Sequence, residues 1–488
     1  MKICFSFQRN FAKLQHCLAI EFKKRGIATE FCGYSTSFKA EKVLLEQKEI
    51  KYGTIISDNR LHEKAKNEKI DYEYLEKLEK EYGIPNLWPY LITDRCVTRN
   101  IPKENFSYTP AYDHEWMLKL LQVASKEIIE MLDKEKPDIL IMPLVGNVGV
   151  HLLYEICKKK KVKTLFVFTA RIDDRMAIYE NAYNDFSEVI KKAKPTENDY
   201  EMAKEYIQRF KDKEVYYAGT SGAKRVTNYF DFIYKEAKGF VKYINNYSKT
   251  KKDIRKNNLA GDYTFQTPYY YAKNRLKRFA RRLKGYNDIW SKPVKDEKYA
   301  FFPLHVEPEV AVSVFAPYYD NQIEVCRMIA KSLPVTYKLY VKEHPDMLYN
   351  RSKSYYKKLL KIPNVRLIDP FIGAQKLIKN AKLITTITGT AGMEGYVMGK
   401  PVITFGSVMY NVVPSIKRIK EPEQLPFVIR DLLENYKFNE EEALNFIASI
   451  YNISESINIG ELWLGTLDEI KQSKDFPKLV NMIIKNIS

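Results

Sequence analysis

The chain has 488 residues, 45% of them hydrophobic and 29% charged, with 36 tyrosines; it is long enough for two or three domains and too apolar to default to disorder. Its 80 Lys and Arg against 61 Asp and Glu give a formal charge of +19, which attracts anionic partners. Nucleic acid is not expected among them, since no zinc-finger spacing, RNP-like motif or helix-turn-helix pattern accompanies the charge.

Six scattered cysteines without a C-x-x-C pair argue against a disulfide framework or structural zinc and fit a reducing cytoplasm. No apolar run approaches the ~20 residues of a spanning helix, and the first residues do not read as a signal peptide. Membrane contact is therefore expected to be peripheral.

In chain order, Lys2 to Gln8 reads as a buried strand, followed by an amphipathic helix from Phe11 to Arg25 and a strand in IATEFCGY. After a long mixed stretch come a helix near Glu115 to Lys134, the strand DILIMPL, a helix near Val148 to Lys159 opened by Gly146-Asn-Val-Gly149, and the strand KTLFVFT ending at Thr169. This alternation predicts a first α/β domain over 1–180 with a parallel, doubly wound sheet. Between 181 and 298 the periodicity turns helical and basic, which predicts an insert or linker. Five strands then follow (YAFFPLHV, YKLYVKEH, VRLID, LITTIT and PVITFG), predicting a second α/β domain over 299–421. The tail over 422–488 is predicted to be helical and could pack back on the first domain. Two such sheets would face a central crevice at the carboxyl ends of their strands, where open α/β sheets bind ligands.

Chemistry is sought at those strand ends. Thr386 to Gly395 (TITGTAGMEG) runs from strand through a glycine turn into a helix; Gly389 lets the backbone approach a ligand, and Thr388, Thr390 and the first helical N–H groups can bind phosphate oxygens. Glu394, one turn into the helix, can accept hydrogen bonds from ribose hydroxyls or merely complement the helix N-terminus. In VKEHP, proline ends the strand, so His344 is expected at the crevice with Lys342 adding charge near a donor phosphate. FPLHVEPE brings His305, Glu307 and Glu309 to the same edge, where a carboxylate can serve as base, nucleophile or metal ligand. In the first domain, Arg171 and Arg175 can hold a sugar carboxylate or phosphate, and Asp173 or Asp174 can deprotonate an acceptor hydroxyl; a surface ion-pair cluster is the other reading. The basic helix 271–284, with Leu276, Phe279, Ala280 and Leu283 on one face, can lie on an anionic membrane surface or be a solvated helix packed on its own protein.

FPLHVEPE, VKEHP and ITGTAGMEGYVMGKPVITFG together resemble the capsule polysaccharide biosynthesis family, whose characterised members include bacterial Kdo transferases that use CMP-Kdo. The resemblance covers Ala300 to Gly406, about a fifth of the chain. The His-Pro element also looks like that of several sialyltransferases and teichoic-acid polymerases. The resemblance implies a GT-B-like pair of Rossmann-like domains, with the donor held by the second through His344 and Thr388 to Thr390 and the acceptor presented by the first. It implies a glycosyltransferase moving a sugar from a nucleotide-sugar donor, foremost a CMP-linked acidic sugar, to a glycan or glycolipid acceptor on the cytoplasmic side of the membrane. No cofactor and no essential metal are expected, because helix dipoles and basic side chains stabilise the leaving phosphate. A CDP-polyol phosphotransferase, a nucleotide-sugar epimerase and a non-catalytic assembly factor stand as alternatives.

Overall fold

The computed structural model describes residues 1–83, 85–107, 109–183, 186–212 and 229–487. The chain forms two compact units: Met1–Ala182, Asp231–Ala272 and Ser454–Ser488 make the first, and Tyr183–Phe230 with Lys273–Ile453 make the second.

Six strands of the first unit are β1 (Lys2–Phe7), β2 (Glu30–Ser35), β3 (Ile55–Ser57), β4 (Ile139–Met142), β5 (Lys163–Thr169) and β6 (Arg175–Tyr179). They lie in the order β6-β5-β4-β1-β2-β3, the arrangement of doubly wound dinucleotide-binding sheets. β1 is KICFSF, buried after its first residue, as a parallel strand covered on both faces must be. The predicted helices after β1 and around β4 are present as Phe11–Lys24, His114–Glu135 and Val148–Lys159. One edge departs from the predicted parallel sheet: β6 pairs antiparallel with β5, Phe166 opposite Tyr179. The cause is local, because Arg171 and Asp173 adopt left-handed φ of 57° and 43°, which turns the chain back as a hairpin before any crossover helix can form.

Asn147 caps the helix Val148–Lys159 by accepting from the Val150 N–H at 2.9 Å, as Gly-Asn before a helical run suggests. Gly149 is obligatory there, since a Cβ would lie 1.7 Å from the Tyr34 hydroxyl. That hydroxyl donates to the buried Asp58, which also accepts from Asn147 at 2.7 Å and from Tyr263 at 2.7 Å. Tyr263 reaches the buried Asp94 as well, at 3.3 Å, and stacks on His62 with ring centroids 3.5 Å apart. Burial, then the neighbouring Asp94, pushes the Asp58 carboxyl up to about 7. Folding therefore takes up a proton between about pH 4, where the unfolded carboxyl titrates, and pH 7, and stability falls as pH rises through that window, by up to about 4 kcal/mol. The Tyr263 segment is expected to lose amide-exchange protection between pH 5.5 and pH 8 after correction for intrinsic rates, and protection unchanged with pH would contradict the raised Asp58 pKa.

The second unit carries β7 (Tyr299–Pro303), β8 (Lys338–Lys342), β9 (Val365–Ile368), β10 (Leu383–Thr386), β11 (Val402–Thr404) and β12 (Lys417–Arg418). All pair in parallel, in the order β12-β11-β10-β7-β8-β9. All five predicted strands are present, with β12 added at the edge. The chain winds from β7 outward through β8 and β9, then returns to start β10 on the other flank of β7, so the topological switch lies between β7 and β10. Phe302, Val341, Leu367, Leu383 and Ile403 join its core.

Finally β13 (Ser454–Ser456) pairs antiparallel with β6 and extends the first sheet. The helix Phe476–Ile487 follows, burying Leu479, Val480 and Ile483 in the same core as Phe5, Phe22 and Phe31. Two Rossmann-like α/β units with a carboxyl-terminal return to the first are the composition of a GT-B-like fold.

Candidate functional site

Open α/β sheets bind ligands outside the carboxyl ends of their strands at the switch point. In the second unit that point is flanked by the residues after β7, β8 and β10, and strand register brings them level: Pro303 pairs with Lys342, and Leu383 with Ala300. Three of the predicted motifs therefore meet at one sheet edge.

The glycine turn is the best defined. Gly389 caps the eight-residue helix Thr390–Val397, and its own N–H donates to Thr386 Oγ1 at 3.0 Å. His305 lies beneath this turn: it is buried, and its Nε2 accepts from the Thr388 N–H at 3.2 Å. Accepting there assigns the ring proton to Nδ1. A Cβ at Gly389 would stand 2.9 Å from Thr386 Oγ1 and 3.1 Å from His305 Nε2, so the packing beneath the turn has no room for a side chain. Thr388 is buried and its hydroxyl donates to the Ala311 carbonyl at 2.7 Å, while Thr390 stands at the helix start, half-buried. The arrangement fixes the position of the helix N-terminus, whose positive dipole end suits an anion. Glu394 is buried, and burial pushes its carboxyl up to about 7 against a lowering hydrogen bond from Thr390. A carboxyl near neutrality can both donate to and accept from a ligand hydroxyl.

At the end of β8, Lys342 is buried, and its ammonium has no ion pair or hydrogen bond among the described residues. Burial lowers its pKa, with Glu343 and Asp369 opposing. A buried ammonium without a counter-ion at a sheet edge is costly unless an anion arrives. His344 is half-buried; its Nδ1 accepts from the Asp346 N–H at 3.3 Å, leaving Nε2 as the remaining polar atom of the ring. Burial lowers its pKa too, against the pull of Asp346 and Glu343.

Strand alternation sends the intervening Glu343 the opposite way, into a buried network that the motif analysis missed. Arg351, fully buried, donates to Glu343 at 2.5 Å, to Glu307 at 3.0 Å and to the His305 carbonyl at 2.7 Å. Tyr356 donates to Glu343 at 2.6 Å, and Gln322 donates to Glu307 and to the His305 carbonyl. Burial works against the Arg351 charge, and Glu343 and Glu307 override it. Glu307 is thus committed to holding the loop after β7 against the end of β8. Glu309, two residues on, is exposed at the start of the short helix Val310–Ser313.

The remaining predicted residues belong to the first unit. Asp173 and Asp174 are exposed in the β5–β6 hairpin, and Arg171 is half-buried there. Arg175 donates through Nε to Ser454 Oγ at 2.8 Å and through Nη2 to the Ser454 carbonyl, so it fastens β13 to the sheet. Its sequence neighbourhood gave no sign of a partner 279 residues away.

Residues 231–414 match the family model described as capsule polysaccharide biosynthesis protein. That range spans all three motifs, and the resemblance they carry is borne out. Over 72 residues the chain is 32% identical to the capsule polysaccharide modification protein LipA of Neisseria meningitidis serogroup A, covering 15% of this chain and 10% of that protein. It is 27% identical over 127 residues to protein FixF of Sinorhizobium fredii, covering 25% of this chain and 29% of that protein. The chain thus spans about a tenth to under a third of the length of these curated relatives. Among solved structures, it is similar to the KpsC beta Kdo 2,7 transferase of Thermosulfurimonas dismutans, with 12% identity, 74% of this chain and 90% of that chain covered, and a TM-score of 0.37. It is also similar to the UDP-GlcNAc 2-epimerase of Neisseria meningitidis bound to UDP-GlcNAc, with 12% identity, both chains covered in full, and a TM-score of 0.28.

Proposed function

We propose that this chain is a glycosyltransferase of capsule polysaccharide biosynthesis that moves a sugar from a nucleotide-activated donor, foremost a CMP-linked acidic sugar such as Kdo, to a cell-surface polysaccharide or glycolipid. The observation that carries the reading is the anion-ready edge of the second unit. There the Thr388–Thr390 turn is fixed over His305 beside the ends of β7 and β8, and β8 brings Lys342 and His344.

In this reading the helix N-terminus at Thr390, the Lys342 ammonium and His344 Nε2 hold the donor phosphate and stabilise the charge that develops on it as the glycosidic bond breaks. Glu394 takes the ribose hydroxyls. Glu309 receives the proton of the acceptor hydroxyl, whereas Glu307 and Arg351 position the loop that carries His305. Fixed dipoles and cations do the electrostatic work, so the step needs no metal. The protein would act in the cytoplasm, peripherally on the inner face of the cell membrane; among the described residues no helix is long and apolar enough to cross one.

Calorimetry with CMP, CDP, UDP and GDP, on wild type and His344→Ala, tests the reading. Selective cytidine-nucleotide binding, weakened about 10-fold or more by the substitution as loss of a charge-assisted contact implies, is the expected result. Well-folded wild type that binds none of the four would defeat it. A CDP-polyol phosphotransferase would share the cytidine preference but turn over only a polyol donor, and an epimerase would equilibrate its sugar without acceptor.

A further inference from the structure

The helix Tyr229–Lys256 carries two apolar faces. One is used internally: Tyr243 stacks on Tyr271 at 3.8 Å, Tyr247 on Phe265 at 5.3 Å, and the Tyr243 hydroxyl donates to the Gln266 carbonyl at 2.5 Å. The other is open. Phe230, Ile233, Tyr234, Val241 and Ile244 are 87%, 48%, 66%, 57% and 36% exposed, and at about 100° per residue they fall within one stripe roughly 100° wide and about 20 Å long. Single exposed hydrophobics are ordinary, but five on one stripe of one helix are not.

The charge around the stripe is one-sided. Lys238 and Lys242 flank it, both exposed, and Lys249, Lys251, Lys252, Arg255 and Lys256 continue past its end. Between Tyr229 and Lys284 there are 15 Lys and Arg against 4 Asp and Glu, so this short stretch supplies more than half of the chain's formal charge of +19. The helix Pro268–Lys284 repeats the pattern on its own surface, with Tyr269, Leu276 and Leu283 exposed at seven-residue intervals. Its arginines are partly committed elsewhere: Arg281 donates to the Tyr349 carbonyl at 3.2 Å and to that of Asn350, and Arg282 lies over the Tyr349 ring at 5.2 Å. The lysines of the helix Tyr229–Lys256 are therefore the better headgroup partners.

We infer that the Phe230–Ile244 stripe of the helix Tyr229–Lys256 is a docking surface for an anionic phospholipid bilayer, its aromatic and aliphatic side chains entering the headgroup boundary while Lys238, Lys242 and the lysines beyond bind lipid phosphates. An apolar stripe bordered by lysines matches both layers of such a surface, whereas a protein groove would satisfy the apolar half alone. This inference stands apart from the donor-site reading, since vesicle binding and nucleotide binding are measured separately.

The test is co-sedimentation of the full chain with vesicles of phosphatidylcholine alone and with about a third phosphatidylglycerol. Wild type is expected to bind the anionic vesicles, more weakly as salt is raised. Ile233→Ser/Tyr234→Ser/Val241→Ser and Lys238→Glu/Lys242→Glu should each weaken that binding about 10-fold or more, with unchanged thermal melts because these side chains are exposed. Equal binding to both vesicle types, no binding to either, or full binding by both variants would overturn the proposal. So would a solution dimer of wild type that the serine variant dissolves while vesicle binding is untouched, which would make the stripe an interface between copies.

Discussion

Arg351→Met is expected to destabilise the second unit by about 3–5 kcal/mol, the largest effect of any single substitution considered. Methionine fills much of the space but leaves Glu307 and Glu343, both buried, without the guanidinium that now binds each of them. Removing one partner of a buried pair is far worse than never having had it, because the surviving charge has lost both its water and its counter-ion. Adding Glu343→Gln to the methionine variant should restore part of the loss, since a neutral amide is cheaper to bury. Urea melts of the three proteins measure this. A loss under about 1 kcal/mol for the single variant would mean that the network behaves like a surface ion pair. Nucleotide affinity should fall in the same variant, because Arg351 also holds the His305 carbonyl at 2.7 Å and His305 supports the glycine turn.

Lys342→Met is expected to weaken cytidine-nucleotide binding by about 10- to 100-fold while leaving the fold intact, as loss of one charge-assisted phosphate contact of about 1.5–3 kcal/mol implies. The pH profile is the more telling readout. Burial lowers the Lys342 pKa in the free protein, and an arriving phosphate would raise it again, so binding takes up a proton once the free lysine has begun to lose its own. Wild-type affinity should therefore decline toward alkaline pH, and the methionine variant should lack that decline. Identical affinities and identical profiles would remove Lys342 from the phosphate site.

Apart from the short edge strands β3 and β12, the parallel strands of both sheets could be read directly because each is a short, nearly continuous apolar run bounded by polar turns; KICFSF and DILIMPL admit few other structures. The glycine turn and the His-Pro strand end were equally legible, since proline and glycine act on the backbone locally. What stayed hidden depends on contacts between distant residues. No local pattern announces that β6 turns back on β5, because the decision rests on the left-handed φ of two non-glycine residues, Arg171 and Asp173. Nor does anything near Arg351 say that it will be fully buried, for arginine is ordinarily a surface residue. The nearest clue was parity: Glu343 sits between two residues assigned to the crevice and must leave the strand on the other side, where a carboxylate needs a partner. Glu307 read as a candidate base for the same reason that it is a good ion-pair partner, and only the position of Arg351 distinguishes the two. Tyr263 and Asp94 likewise come from segments that carried no strand signal.

The first unit is built from three stretches of chain, with the whole of the second unit's core falling between the second and the third. Synthesis runs in one direction, so β6 emerges from the ribosome long before β13 can cover its open edge, and the pocket in the first core that receives Leu479, Val480 and Ile483 stays unfilled for the same interval. The second unit, whose strands β7 to β12 are all made by then, can close first. During that wait the nascent chain exposes an unpaired strand edge and an apolar face together, the combination most prone to intermolecular strand pairing. The return of the chain to the first sheet thus makes the unit that is begun before the other the last to finish.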